Sequence, residues 1–176
     1  FCTNCGQALV GKSSEVKPVR VSAPKNYCLA VHLKTGLIKR EPWAMWIGPQ
    51  KSAMIRIGQK NYDSIVGGRA NERDREQAFR SYAERLAKDS LDNVLCSHPK
   101  SEAFETSQIR QMQIIVTYDS EMNRYNEYER FILDLPKAQY RGAFERDTNL
   151  LSFIDMLRSL LGGRFSYRTM DQFPFL

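Results

Sequence analysis

An α+β fold is predicted, with small antiparallel sheet elements, two main helices and a zinc knuckle at the N-terminus. Three observations carry that expectation. Short β-rich segments fall into two groups, each followed by a segment of helical period. The strands do not alternate regularly with helices, which argues against a doubly wound parallel sheet. Cys2 and Cys5 stand three positions apart with Gly6 directly behind them, the spacing of a metal knuckle.

Taken in order, residues 1–8 form the knuckle and residues 11–25, rich in Ser, Pro and Lys, read as an extended basic connection. Tyr27–Leu33 is a strand closed by the turn residues Lys34-Thr35-Gly36. Trp43–Ile47 and Ala53–Ile57 are two further strands, joined through Gly48-Pro49-Gln50-Lys51 as a tight basic hairpin. Residues 72–95 make the clearest helix. Asn71 caps it, Glu72 and Asp74 favour the positive end of its dipole, and Phe79, Tyr82, Ala83, Leu86, Leu91, Val94 and Leu95 form its apolar stripe. Met112–Tyr118 and Arg130–Leu135 are strands flanking a polar loop, Asp119–Glu129. A second helix spans 149–161, capped by Thr148 and stopped by Gly162-Gly163. No repeat or long linker interrupts the chain, so residues 1–176 read as one domain.

Composition narrows the function. At 42% apolar and 26% charged residues the chain has a globular balance, and no apolar run reaches the ~18 residues of a membrane helix. The first residue is Phe1, which reads as a trimmed start, and no targeting peptide is legible. Four cysteines, two of them spaced as metal ligands, point to a reducing cytoplasm. The net charge of +6 is unevenly spread. Residues 1–60 hold ten Lys or Arg against Glu15 and Glu41, whereas the remainder holds sixteen basic and eighteen acidic residues. A basic N-terminal third predicts a surface that faces a polyanion.

For the metal, the knuckle needs two more ligands beyond Cys2 and Cys5. Cys96 and His98, after the long helix, are the natural pair, with Cys28 or His32 as substitutes. The plainer alternatives are Cys28 as a small buried hydrophobe and His32 as a surface histidine. No GxSxG, HExxH or P-loop occurs, and the acids of the 72–95 helix read as its solvated face, so no enzyme is expected. Binding suits the composition better. Lys34, Lys39, Arg40, Lys51, Arg56 and Lys60 interleave with Trp43, Trp46 and Tyr62, cations for phosphates and aromatics for bases. Strand alternation sets Trp43 and Trp46 on opposite faces, so one of them belongs to the core. Gln50 and Lys51 occupy the tip of the basic hairpin.

The CxxCG knuckle, the Pro42-Trp43-Ala44-Met45-Trp46-Ile47 strand, the Gln50-Lys51 turn and the apolar strand Ala53–Ile57 resemble the zinc-finger-bearing large subunit of type IV CRISPR effector complexes. The similarity covers the first third of the chain, and no second CxxC follows. It implies a subunit without nuclease chemistry that sits in a guide-RNA complex and helps recognise a short DNA element beside the target, with Gln50 and Lys51 near nucleic acid. The expectation is therefore a zinc-stabilised nucleic-acid-binding protein, with DNA or guide RNA and other protein subunits as partners and no membrane. The alternative is a protein-interaction adaptor or a phage-encoded inhibitor of a nucleic-acid machine.

Overall fold

Alternating apolar side chains on a strand covered from both sides organise this protein, and in a computed structural model that strand is β1 (Tyr27–Thr35). The structure describes residues 26–35, 39–69, 71–119, 124–125, 129–145 and 148–171. β1 pairs antiparallel with β2 (Lys39–Ile47) along its whole length, and β2 pairs with β3 (Lys51–Arg56). Helices α1 (Gln59–Val66), α2 (Glu72–Leu86) and α3 (Leu91–Ser97) follow, then β4 (Glu102–Glu105), which adds to the edge of β3. The second half of the sheet holds β5 (Gln111–Asp119), the two-residue β6 (Arg124–Tyr125), β7 (Arg130–Asp134) and β8 (Gln139–Phe144). Helix α4 (Leu151–Leu161) then carries the chain across to β9 (Phe165–Asp171), which runs parallel to β5. The order is β4-β3-β2-β1-β8-β7-β5-β6, with β9 along β5. The two halves meet at one seam of three pairs, Val31–Phe144, His32–Ala143 and Leu33–Gly142.

Strand alternation divides the core in two. Val31, Leu33, Met45, Ile47, Met54, Met112, Ile114, Phe131 and Leu133 point to one face and meet Phe153, Ile154, Leu157 and Leu161 of α4. Cys28, Ala30, Ala44, Trp46, Ala53 and Ile55 point to the other and meet Val66 of α1, Phe79 and Ala83 of α2 and Val94 of α3. Three helices therefore cover the β1–β3 half of one face, and α4 covers the opposite face. The fold is α+β, as predicted. Among the described residues no helix is long and apolar enough to cross a membrane.

Several boundaries differ from expectation. The 72–95 segment is two helices, because Ser90 begins a new one by accepting from the Asn93 amide at 3.3 Å. Asn71 does cap the first, accepting from the Asp74 amide at 2.8 Å. Thr148 caps nothing: its hydroxyl donates to the Glu145 carbonyl, and α4 begins at Leu151. Gly162 ends α4 with φ 54°, a left-handed conformation that glycine adopts without strain. Helix α1 and strands β4, β6, β8 and β9 were not foreseen, and Lys34 and Thr35 continue β1 where a turn was expected. The sheet elements are one nine-stranded sheet among the described residues, not separate pieces.

Candidate nucleic-acid interface

The helices that cover β1–β3 stop at β1. Beyond it, the same face of β8, β7, β5 and β9 carries no helix among the described residues, and the register shows what it displays. Cross-strand neighbours lie side by side and point the same way. From His32 one row runs through Ala143, Arg130 and Ile115 to Arg168. The adjacent row begins with the Arg40–Lys34 pair and continues through Ile132 and Gln113 to Ser166, with Arg141 opposite Ile132. Lys34, Arg40, Arg130, Arg141 and Arg168 are all exposed, and they come from five strands. At ~4.8 Å between strands, the rows span roughly 24 Å from β2 to β9. Two of the guanidinium groups are steadied by neutral neighbours: Arg168 donates to Gln113 at 2.6 Å and Arg141 to Gln139 at 2.7 Å. Their charge is undiminished. A shallow cavity of about 540 Å³ lies on this surface, lined by Lys34, Arg40, Arg130 and Arg141 together with Ile115 and Ile132, and among the described residues by no carboxylate.

A second cavity, of about 500 Å³, adjoins the first where the sheet meets α1 and α2, and His32 and Arg40 line both. Its other walls are Tyr62, Asn71, Glu72, Arg75, Glu76 and Glu145. His32 Nε2 donates to Glu145 Oε2 at 2.6 Å, and the Glu145 side chain is 4% exposed. The imidazole also lies edge-on to Tyr62, 6.0 Å between centroids, and 5.7 Å from Phe79. Glu76, on the buried side of α2, is 5% exposed. Burial, followed by the negative charges of Glu145 and Glu76, raises the pKa of the Tyr62 phenol, while Arg75 opposes them. Tyr62 is therefore a protonated donor at neutral pH. His32 is not the surface histidine expected beside a turn; it is held in a polar pocket.

The expected binding residues are dispersed. Lys34 and Arg40 lie on the open face, while the side chain of Lys39 lies outside the described residues. Trp43 and Arg56 are paired across β2 and β3 on the α4 face. There the Arg56 guanidinium sits 5.9 Å from the indole centroid and 3.3 Å from Glu41, and the indole packs 6.4 Å from Tyr140. Trp43 is half-buried and its Nε1 is fully covered, so it is not presented for stacking on a base. Gln50 and Lys51 are exposed, but at the other end of β2, roughly 23 Å along the strand from Arg40. Their turn is pinned: Gly48 donates to the Lys51 carbonyl at 3.1 Å, Thr106 donates its amide to Gln50 at 2.8 Å, and the buried Thr106 hydroxyl donates to Gly48 at 2.8 Å. Lys60 is exposed on α1, beside a separate cavity shared with Arg56 and Lys100.

The metal ligands fare unevenly. Cys2 and Cys5 lie outside the described residues. Cys96 is exposed. His98 does not fit as a ligand: it is buried, its Nδ1 donates to the Val94 carbonyl at 2.9 Å, and its Nε2 therefore accepts the Tyr82 hydroxyl at 3.0 Å. Both ring nitrogens are used in closing α3 against α2. Cys28 is buried, and desolvation pushes its thiol far above the ordinary range, as suits a small core hydrophobe. Among the described residues no three His, Cys, Asp or Glu side chains converge as a metal site would require.

Sequence reasoning missed Arg130, Arg141 and Arg168. The only signal for them is alternation: Arg130-Phe131-Ile132-Leu133 and Tyr140-Arg141-Gly142-Ala143 place each arginine on the face opposite the core. No protein-family model matches the chain. No curated protein matches it either.

Proposed function

We propose that this protein binds nucleic acid through the uncovered half of its sheet, as a binding subunit without catalytic chemistry of its own. The observation that supports this is the convergence of Lys34, Arg40, Arg130, Arg141 and Arg168 on one open face, with a cavity there that no carboxylate lines among the described residues. Arginine and lysine neutralise phosphates and release condensed counterions, and a surface about 24 Å wide accommodates several successive phosphates. The described part of that face carries Ile115, Ile132 and Gln113 in place of aromatic platforms, which favours backbone positioning over stacking. Membership of a guide-RNA effector complex and recognition of DNA beside the target rest on the resemblance carried by the N-terminal third, and zinc at Cys2 and Cys5 rests on the CxxCG spacing.

The test is a titration of duplex DNA, single-stranded DNA and RNA at several salt concentrations. Affinity should fall steeply with salt, and Arg130→Ala, Arg141→Ala and Arg168→Ala should each reduce the log–log slope by about one unit or slightly less. Absence of binding, or a slope unchanged in all three variants, would refute the reading. Salt-insensitive binding to a protein partner would favour the adaptor instead.

A further inference from the structure

We infer that the basic face selects ribose over deoxyribose, with His32 accepting a hydrogen bond from one 2′-hydroxyl of the bound strand; the inference rests on the nucleic-acid reading above. Lys34, Arg40, Arg130 and Arg141 in the basic cavity can only donate hydrogen bonds. Phosphate oxygens only accept, so these four side chains suit RNA and DNA alike. Within a strand, the 2′-hydroxyl is the one donor that a sugar–phosphate backbone possesses, and DNA lacks it. Among the described residues that line this cavity, His32 supplies the one side-chain acceptor. Gln113, on the same face but outside the cavity lining, already accepts from Arg168.

The hydrogen bonds identify the accepting atom. His32 Nε2 carries a hydrogen, because its partner at 2.6 Å is the Glu145 carboxylate, which accepts. In the neutral imidazole Nδ1 then bears the lone pair. Nδ1 has no hydrogen-bond partner among the described residues. The buried side-chain polar atoms in that position are Trp43 Nε1 and Ser166 Oγ, so Nδ1 is open to solvent. The ring is also held in place before a strand arrives. Glu145, its side chain 4% exposed, fixes the tautomer, and the rings of Tyr62 and Phe79 pack 6.0 and 5.7 Å away. Glu145 is thus a positioning residue. On β1, His32 stands two residues before Lys34 and points to the same side, so the two side chains are rooted ~7 Å apart. Arg40 lines both cavities that His32 lines. A phosphate held between Lys34 and Arg40 therefore brings its own sugar to the imidazole.

The experiment titrates the full chain, at a fixed moderate salt concentration, with single-stranded oligouridine and with the same oligomer built on 2′-deoxy or 2′-fluoro sugars. The 2′-fluoro sugar keeps the ribose pucker and loses the donor, so it separates the hydrogen bond from backbone shape. The ribo-oligomer should bind about fivefold more tightly than either analogue. His32→Phe keeps a ring beside Tyr62 and Phe79 but offers no acceptor. It should bring the ribo-oligomer down to the affinity of the 2′-fluoro oligomer and leave the latter within about twofold of its value with the parent. Equal binding of the ribo- and 2′-fluoro oligomers by the unaltered protein would overturn the selection while leaving the basic face standing, as would a preference that survives in His32→Phe. Failure to bind any oligomer would overturn both. If His32→Phe does not fold, nuclear magnetic resonance of the unaltered chain with isotope-labelled histidine decides, since there are only two imidazoles to resolve. The ribo-oligomer should move the His32 Nδ1 resonance further than the 2′-fluoro oligomer does, and equal movement would overturn the inference.

Discussion

Substituting Gly142 tests whether the seam between β1 and β8 is as tight as the geometry requires. A β-carbon there would lie 2.4 Å from the His32 carbonyl oxygen and 2.9 Å from two ring carbons of Phe131. Neither neighbour can yield alone. The carbonyl belongs to β1 at the three-pair seam, and the Phe131 ring is 1% exposed within the core. Inserting a methyl group into a packed site costs ~1–3 kcal/mol, and a backbone obstacle puts Gly142→Ala near the upper end, about 3 kcal/mol. For a chain of this size that lowers Tm by roughly 6–12 °C. Gly163→Ala is the control, since nothing lies within 4 Å of its β-carbon position, and it should stay within ~0.5 kcal/mol of the parent. Urea unfolding followed by circular dichroism measures both, with the slope confirming an unchanged exposed area. A Gly142→Ala protein as stable as its parent would refute the close approach, and with it the placement of His32 at the junction of the two cavities.

Other outcomes follow from the same geometry. Phe153→Ala removes a fully buried ring packed 5.7 Å from Tyr27 and 6.1 Å from Phe144, and should cost ~3–5 kcal/mol in chemical denaturation. His98→Ala leaves the Tyr82 hydroxyl without its partner and should cost ~1–3 kcal/mol, yet zinc content by elemental analysis should not change; a loss of zinc would restore His98 as a ligand. In salt titrations Lys51→Ala should leave the slope at the parent value while Arg141→Ala lowers it by about one unit, and the reverse pattern would move the binding surface to the β2–β3 turn. Thiol alkylation of the folded protein should modify Cys96 and spare Cys28, as peptide mapping would report.

How much of this was legible in sequence depended on whether a signal is local. The period of Phe79 and Ala83, the Asn71 cap and the nearly continuous apolar run of Tyr27–Leu33 are local, and those elements are where they were expected. The break at Ala87–Ser90 was hidden because the apolar stripe continues through both helices. β8 and β9 were missed because Gln139–Phe144 contains a glycine and Phe165–Asp171 mixes Ser, Arg and Thr into its run; pairing along the sheet, not propensity, makes them strands. The surface proposed here lies away from the segment that charge counting favoured, for a related reason. A charge count by chain position favours residues 1–60, yet Arg56 spends its charge on Glu41 while Arg130, Arg141 and Arg168 converge through register alone. Segment charge is a sum along a line, and a surface is not.

The seam also dictates an order of events on the ribosome. His32 and Glu145 are 113 residues apart, and β1 has no partner on its second edge until β8 has been made. At ~5–20 residues per second, the intervening chain takes roughly 6–23 s to synthesise. During that interval β1, β2 and β3 with α1–α3 have all their mutual contacts available and can form a nascent half-protein. That half presents a bare strand edge bearing Val31 and Leu33, ready to pair with whatever extended chain it meets. Completion of the sheet is thus a late, long-range closure. A synonymous-codon change that slows translation between β3 and β8 should raise the fraction captured by chaperones or lost to aggregation, with the sequence of the finished protein untouched.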